Sequence, residues 1–279
     1  MTAEHIRSSI NHGVGTISID RADRFNSLDV RTARELRSAA LAYARDEAVR
    51  VVVLRGTDGV FCSGADLKYI RGGGRGQDLA YLLPEDRSGA GGYGEVFKQI
   101  LEYLHSTISE IRRAAKPFVA AVDGIAAAGG FGLAMSCDLV VASERSWFEW
   151  AYSRTGLTGA ESSTFMLPRL IGLRRSLELV LLNPRVHALR ALEMGLISEV
   201  YGDAEFNNRV DELARRLADG PTRAFGIAKS LLNTSAGVDR LDYHLDQELD
   251  QLSRIADGAE FKEGIDAFFE KREAHFSAL

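Results

Sequence analysis

One stretch sets the architecture of this sequence: Lys116-Pro-Phe-Val-Ala-Ala-Val-Asp-Gly-Ile-Ala-Ala-Ala-Gly-Gly-Phe-Gly-Leu-Ala-Met-Ser-Cys-Asp138. Its apolar run 118–122 follows a proline and predicts a buried strand. Asp123-Gly124 indicates a turn, and Gly129-Gly130 stands where the chain should enter a helix. A strand, a glycine turn and a helix N-terminus place unpaired backbone N–H groups where negative charge can be held. The alternative is a close helix–strand crossing that merely needs small residues.

A second glycine turn, Phe61-Cys-Ser-Gly-Ala-Asp-Leu-Lys68, follows another apolar run. That run, residues 51–55, predicts a strand covered on both faces. Since both glycine turns follow buried strands, one N–H from each could converge on a single carbonyl oxygen. This is the arrangement of an oxyanion hole.

The rest of the chain alternates strands with helices, which favours an α/β fold with a parallel sheet. We predict further strands at 14–19, 139–142, 147–152 and 197–201, and helices at 29–46, 95–115, 161–170, 177–182 and 188–194. From Phe206 onward the sequence reads as helical, broken at Gly220-Pro221 and Gly237. We therefore predict a core at 1–200 and a helical region at 201–279. Residues 72–94 are rich in glycine and predict a surface loop, with a lid as one interpretation.

Composition excludes several classes of protein. The 279 residues carry a net charge of −5 with both signs interspersed, so there is no basic footprint for nucleic acid. Cys62 and Cys137 lie in apolar surroundings without metal-ligand spacing, so we expect buried thiols and no metal site. Residues 1–10 lack the apolar core of a signal peptide. Charges and glycines interrupt 117–143, so it is not a membrane span. We expect a cytoplasmic protein.

At this point the sequence resembles the enoyl-CoA hydratase/isomerase (crotonase) family. The matching segments cover most of the chain in the family's order: Phe61–Lys68, Lys116–Asp138, Leu167-Pro-Arg-Leu-Ile-Gly172, Ala191-Leu-Glu-Met-Gly-Leu-Ile197 and Glu263–Arg272. The resemblance implies a crotonase (ClpP-like) spiral of ββα units with a C-terminal α-helical region that packs in homotrimers, often paired into hexamers.

The resemblance also implies an acyl-CoA thioester as substrate, with no cofactor beyond that coenzyme A. The backbone N–H groups of Ala65 and Gly129 would hold the thioester oxygen. The substrate-binding positions it implies are Arg24, Asp66, Leu67, Lys68 and Lys271, with the three cations near the nucleotide or phosphates of CoA. The alternative for each cation is a solvated surface residue.

The sequence departs from the family's standard hydratases at their two glutamates. Gly132 occupies the first position and Tyr152 the second. Because hydration uses two positioned carboxylates, the standard hydratase mechanism is in doubt. The remaining acidic candidate is Glu161, one position after Ala160, which occupies the slot of an aspartate found in family isomerases and dehalogenases. The alternative for Glu161 is a first-turn glutamate that stabilises the helix dipole.

His105 is the second catalytic candidate. It lies at the border of the apolar stripe of its helix, so we expect it at a rim, and a neutral imidazole there could activate water. Its spacing before Pro117 matches the catalytic histidine of 4-chlorobenzoyl-CoA dehalogenase-like members. The alternative is a helix histidine with no role. Trp150 and Tyr152 would alternate with Phe148 onto one face of a strand and line an acyl pocket, or simply belong to the core. Glu149 would then face away and be solvated or structural.

Three functions remain open on this evidence. The first is an enoyl-CoA isomerase or hydratase-type enzyme with Glu161 as general base and an oxyanion hole at Ala65 and Gly129. The second is a hydrolase or dehalogenase-like enzyme in which His105 activates water beside Glu161. The third is an acyl-CoA-binding protein without catalysis, which the loss of both hydratase glutamates makes conceivable.

Overall fold

The structure of the protein, a computed structural model, describes residues 3–79 and 92–278. In these ranges the strands are β1 (Ile6–Asn11), β2 (Val14–Ile19), β3 (Val51–Gly56), β4 (Phe118–Val122), β5 (Ile125–Ala127), β6 (Leu139–Ser143), β7 (Trp147–Glu149), β8 (Val186–His187) and β9 (Glu199–Tyr201). The first helices are α1 (Val30–Arg45), α2 (Leu67–Arg71), α3 (Gly76–Leu79), α4 (Tyr93–Arg113), α5 (Gly129–Met135) and α6 (Ser163–Ile171). Six more follow: α7 (Leu173–Leu182), α8 (Ala188–Met194), α9 (Phe206–Asp219), α10 (Thr222–Ser235), α11 (Leu241–Ala256) and α12 (Ala259–Glu270).

Two sheets run through the molecule. The larger has the order β1-β2-β3-β4-β6-β9, with an antiparallel hairpin at β1 and β2 and parallel pairs elsewhere. The smaller has the order β5-β7-β8. Since β4 and β5 follow each other along the chain but belong to different sheets, the chain steps from one sheet to the other before entering α5.

β4 is apolar throughout and β3 is apolar from Val51 to Leu54, because both faces of the sheet are covered there. Val52 and Phe118 belong to the main core, which includes residues of α1 and α4. Their neighbours Val51 and Val119 point the other way, into a second cluster with Phe206 of α9. The predicted buried strands at 51–55 and 118–122 are therefore confirmed.

Several predicted elements differ from the structure. Residues 147–152 are a strand only as far as Glu149, because Ala151 takes a positive φ of 62° and Tyr152–Thr155 forms a 3-10 helix. The predicted alternation of Phe148, Trp150 and Tyr152 onto one strand face is therefore wrong. Helix α6 begins at Ser163, two residues after the predicted start.

The predicted loop at 72–94 lies largely outside the described residues. Its described ends contain the short helix α3 and the start of α4 at Tyr93. At the other end of the chain, α11 packs along α4, and α12 packs against the 3-10 helix. These contacts bring the C-terminal helices to the side of the molecule that carries the two glycine turns.

Candidate active site

The two glycine turns meet at the base of one cleft of about 440 Å³. Gly64 has a φ of +93°, and a Cβ added there would lie 2.7 Å from Ala128 Cβ and 3.0 Å from Gly129 N. Only glycine accommodates both the conformation and this approach. The turn that carries Ala65 thus lies directly against the start of α5, as the two-turn motif predicted.

Two backbone N–H groups at this junction are left without protein acceptors in the described part of the chain. Ala65 forms a bridge with Leu28 in which Leu28 N donates to Gly64 O and Asp66 N donates to Leu28 O, so the Ala65 N–H takes no part. Gly129 is the first residue of α5, where N–H groups have no intrahelical acceptor. Both residues line the cleft.

Glu161 also lines the cleft, although its side chain is buried. Glu161 and Ser162 have positive φ angles of 51° and 61°, which turn the backbone before α6. A Cβ added at Gly129 would lie only 2.9 Å from Glu161 Oε1, so this carboxylate stands over the first residue of α5. Its other oxygen, Oε2, accepts a hydrogen bond from the Tyr152 hydroxyl.

Gly132 lies at the position where the family resemblance implies the first hydratase glutamate. The turn that contains Glu161 occupies the space beside it. A Cβ added at Gly132 would overlap the carbonyl oxygen of Glu161 and lie 2.8 Å from its Cβ. Tyr152, at the second position, donates to Glu161. Of the two positions at which the family resemblance implies glutamates, one therefore packs against the Glu161 backbone and the other donates a hydrogen bond to the Glu161 carboxylate.

Burial raises the pKa of Glu161 to about 8, and the nearby charge of Glu248 acts in the same direction. The hydrogen bond from Tyr152 opposes this shift because it stabilises the carboxylate. A carboxyl with a pKa near neutrality can both take and return a proton, which is what general acid–base catalysis requires.

His105 lies behind the cleft, and the prediction that it occupies a rim is wrong. It is buried and is not among the residues that line the cleft. Its Nε2 accepts the backbone N–H of Glu161 at 3.3 Å and lies 4.0 Å from Glu248 Oε2. Burial, with a smaller effect of His244, lowers the pKa of His105 to about 3, so the imidazole is neutral. It supports the Glu161 turn with its lone pair.

Glu248 of α11 is a site residue that sequence reasoning missed. Its Oε2 accepts the N–H of Ser162 at 2.8 Å, and its Oε1 accepts the N–H of Thr164 at 3.0 Å together with the Thr164 hydroxyl. Burial raises the pKa of Glu248 to about 7. The available signal was a glutamate at helical spacing within a buried stripe that includes Leu245 and Leu252.

Of the substrate-binding positions that the family resemblance implies, all but Lys271 line the cleft. Arg24, Asp66, Leu67 and Lys68 all line the cleft. Arg24 and Asp66 form an ion pair of 2.6 Å, while Lys68 has no ion pair in the described structure. Lys271 is exposed at the end of α12 and is not part of the lining.

For Trp150 and Glu149 the structure distinguishes between the alternatives left open by the sequence. Trp150 is buried with its ring 5.1 Å from that of Tyr152, and it is not among the lining residues, so the core alternative describes it. Glu149 does line the cleft and is buried, so it is not solvated. It pairs with Arg154 at 2.7 Å and Arg185 at 3.4 Å.

Comparison with known proteins identifies the family of the chain. The sequence model of the enoyl-CoA hydratase/isomerase family matches residues 9–88 and 90–278. The chain belongs to the enoyl-CoA hydratase/isomerase (crotonase) family. It is 34% identical to a probable enoyl-CoA hydratase of Rhodobacter capsulatus over 99% of both chains. It is also 31% identical to 1,2-epoxyphenylacetyl-CoA isomerase of Escherichia coli (98% of both) and 30% identical to 4-chlorobenzoyl coenzyme A dehalogenase-2 of Arthrobacter (99% and 94%).

A solved crotonase-family structure confirms the expected fold. The crystal structure of an enoyl-CoA hydratase from Mycobacterium avium subsp. paratuberculosis superposes with a TM-score of 0.85 at 28% identity, covering 99% of each chain. In the residues described here, no group of three or more His, Cys, Asp or Glu side chains could hold a metal ion. No described helix is both long and apolar enough to span a membrane.

Proposed function

We propose that this crotonase-family enzyme shifts a double bond within an enoyl-CoA, with Glu161 moving the proton. The observation that carries the proposal is the position of the Glu161 carboxylate over Gly129, at the junction of the two turns. Glu149 and Asp66 also line the cleft but are paired with arginines. Glu161 has no cationic partner among the described residues and is free to exchange a proton.

The reaction would proceed through an enolate. The thioester oxygen accepts hydrogen bonds from the N–H groups of Ala65 and Gly129, and the Glu161 carboxylate removes a proton from the α-carbon (C2) of a 3-enoyl thioester. The released electron pair forms a dienolate, whose negative charge rests on the oxygen. Glu161 then protonates the dienolate at C4. The thioester carbonyl is restored, and the double bond lies between C2 and C3. Loss of one oxyanion donor typically slows such reactions about 100- to 1,000-fold.

The described cleft suits such a thioester. It is lined by the apolar side chains of Phe97, Leu157, Leu252 and Phe269. Lys68 also lines it and has no ion pair among the described residues. We propose that Lys68 meets the phosphates or nucleotide of CoA, with Arg24 and Lys271 as the further candidates implied by the family. Apolar pockets with a few placed polar groups are typical of small-molecule sites.

A second candidate is a dehalogenase-type reaction in which the Glu161 carboxylate attacks the halogen-bearing ring carbon of an aromatic acyl group and halide leaves. Water then cleaves the ester so formed and releases the hydroxylated product. This reaction is favoured by the similarity to an Arthrobacter protein named 4-chlorobenzoyl coenzyme A dehalogenase-2. The position of His105 weighs against its predicted part in this reaction, because its Nε2 already accepts the Glu161 N–H. We therefore rank the dehalogenase-type reaction second, and a protein that only binds acyl-CoA third.

The test is mass spectrometry of a panel of linear, cyclic and aromatic acyl-CoAs incubated with the protein in ¹⁸O-labelled water. The proposal predicts a product of unchanged mass and altered retention. One labelled water added to the intact thioester would instead mean hydration. A labelled hydroxyl replacing a ring halogen, or a labelled free acid, would favour the second candidate. No reaction, with measurable CoA-ester binding, would favour a binding protein.

We also propose that the chain assembles into homotrimers, or pairs of trimers. Large apolar side chains are exposed on α7, α8 and α10: Leu173, Leu177, Leu181, Leu182, Leu189, Leu192, Ile227, Leu231 and Leu232. Exposed apolar surface of this extent in a soluble protein typically belongs to an interface between chains.

A further inference from the structure

Two arginines share one buried carboxylate at the edge of the cleft. Arg154 Nε lies 2.7 Å from Glu149 Oε1, and Arg185 Nε lies 3.4 Å from Glu149 Oε2. All three residues line the cleft that contains Glu161. Glu149 is 3% exposed, whereas both arginine side chains are 56% exposed. One carboxylate balances one guanidinium, so the group keeps one positive charge.

Each arginine contacts Glu149 through Nε, at one side of its guanidinium. The Nη groups of Arg154 and Arg185 form no hydrogen bond with the described part of the chain. A guanidinium presents its N–H groups as a planar fork that binds carboxylates and phosphates with two parallel hydrogen bonds. Two such forks, anchored on the same side chain, leave donors available to a ligand in the cleft.

The anchoring is specific. Asn183 Nδ2 donates to Glu149 Oε1 at 2.9 Å, and Asn183 Oδ1 accepts the N–H of Ala151 at 2.6 Å. The Arg185 guanidinium lies over the Trp147 ring, 4.5 Å from its centroid. These contacts join β7, the residue before the 3-10 helix and the segment before β8, and they hold Glu149 and Arg185 in place; Arg154 pairs with the carboxylate so held.

The group also lies close to the reacting position. Glu149 pairs with Ala127 across the small sheet, and its carbonyl accepts the N–H of Ala128 at 3.1 Å. Ala128 immediately precedes Gly129. Around Arg24, by contrast, the charges balance: Arg24 and Arg21 pair with Asp66 at 2.6 and 2.9 Å, and Arg21 also pairs with Asp29 at 3.1 Å, so two carboxylates meet two guanidiniums.

We propose that Arg154 and Arg185 form a subsite for an anionic oxygen group of the bound thioester, either a carboxylate on the acyl group or a phosphate of its carrier. This inference rests on the proposed binding of acyl-CoA in the cleft. An acyl carboxylate would make the substrate a dicarboxylic acid monothioester. A carrier phosphate would place the CoA moiety along the small sheet.

The experiment measures dissociation constants by isothermal titration calorimetry for four thioesters with saturated acyl groups, which contain no double bond to shift. They are hexanoyl-CoA, glutaryl-CoA, and the hexanoyl and glutaryl thioesters of N-acetylcysteamine, a carrier without phosphates. The proteins are the wild type, Arg154→Gln, Arg185→Gln and the double variant. Arg190→Gln is the control, because Arg190 is an exposed arginine paired with Glu193 on α8.

Removing both guanidiniums leaves Glu149 buried without a cation, so the double variant is also made with Glu149→Gln. Loss of a charged hydrogen-bond donor should weaken binding of the recognised group about tenfold or more. Weaker binding of both glutaryl thioesters, with hexanoyl thioesters unaffected, identifies an acyl carboxylate. Weaker binding of both CoA esters, with N-acetylcysteamine thioesters unaffected, identifies a carrier phosphate.

Two results would overturn the inference, and they differ from each other. If the wild type binds CoA esters and the arginine variants bind every thioester as tightly as Arg190→Gln does, the subsite does not exist although the proposed function stands. If the wild type binds none of the four thioesters, the proposed function fails, and the subsite fails with it.

Discussion

At the scale of single residues, the site depends on how Glu161 is held. Its carboxyl is buried, accepts the Tyr152 hydroxyl and lies near Glu248, and these groups shift its pKa in opposite directions. The charge of Glu161 acts on its neighbours in turn. Burial raises the pKa of Cys62 and that of Tyr152, and the charge of Glu161 raises both further. The balance between partners, rather than the glutamate alone, sets the pH at which the base becomes active.

We predict that two substitutions move the acid limb of the kcat/KM profile in opposite directions. The wild type should gain activity as pH rises through about 8, where Glu161 loses its proton. Tyr152→Phe removes a hydrogen bond that lowers the pKa of Glu161, so its limb should move to higher pH. Glu248→Gln removes a charge that raises this pKa, so its limb should move to lower pH. Shifts in the same direction, or none, would contradict the assignment of Glu161 as the titrating base.

Some site residues could be predicted from local sequence and others could not. Ala65 and Gly129 are defined by turns whose geometry is local, and the turn before α6 contains the only acidic side chain near the expected position. Glu248 supports that turn from far along the chain. Its contribution depends on how α11 packs, which no local pattern contains.

At the scale of elements, α11 holds the beginning of α6. Glu248 accepts two backbone N–H groups of that first turn, which otherwise lack acceptors because they lie at a helix N-terminus. The tertiary contact thus does what an N-cap side chain does in other helices.

We predict that Glu248→Ala lowers the free energy of unfolding more than Glu248→Gln does. The alanine leaves the buried N–H of Ser162 without an acceptor, at about 1–3 kcal/mol, and the part-buried N–H of Thr164 likewise, at a smaller cost. The glutamine keeps one acceptor oxygen at similar volume. Denaturant unfolding followed by circular dichroism measures both. Equal stability of the two variants would contradict the role of Glu248 in holding the turn.

We also predict that restoring the hydratase glutamates fails. In Gly132→Glu with Tyr152→Glu, the new Cβ at 132 would overlap the Glu161 backbone and displace the turn. The double variant should lose the proposed isomerisation without gaining hydration, and its melting temperature should fall. Gly202→Glu is the control, since nothing lies within 4 Å of a Cβ there. A stable double variant that hydrates enoyl-CoA would show that the turn can give way.

Strands could be predicted from the sequence where both of their faces are buried. β4 is apolar at every position because both faces of its sheet are covered. The 3-10 helix after β7 was not predictable, because the positive φ of Ala151 accompanies a hydrogen bond from its N–H to Asn183 Oδ1, more than thirty residues away. The aromatic residues at 147–152 therefore predicted a longer strand than β7, which ends at Glu149.

At the scale of the whole molecule, the chain buries its glycine turns deeply while exposing leucines on α7 and α10. We predict that Leu182→Glu combined with Leu232→Glu lowers the oligomeric state, because both side chains are at least 70% exposed and would lie in an interface. Light scattering coupled to size-exclusion chromatography measures the mass, with Glu144→Gln as control. A wild type that is already monomeric, or an unchanged variant, would contradict the proposed assembly.

The central claim is that Glu161 transfers the proton, and one measurement tests it most directly. Wild type, Glu161→Gln and the control Glu144→Gln are incubated with a 3-enoyl-CoA in deuterated water, and product and deuterium content are followed by mass spectrometry. We predict a 2-enoyl-CoA formed by the wild type and the control. Glu161→Gln should react about 100- to 10,000-fold more slowly while binding the thioester nearly as well. Isomerisation by Glu161→Gln at the wild-type rate would contradict the account.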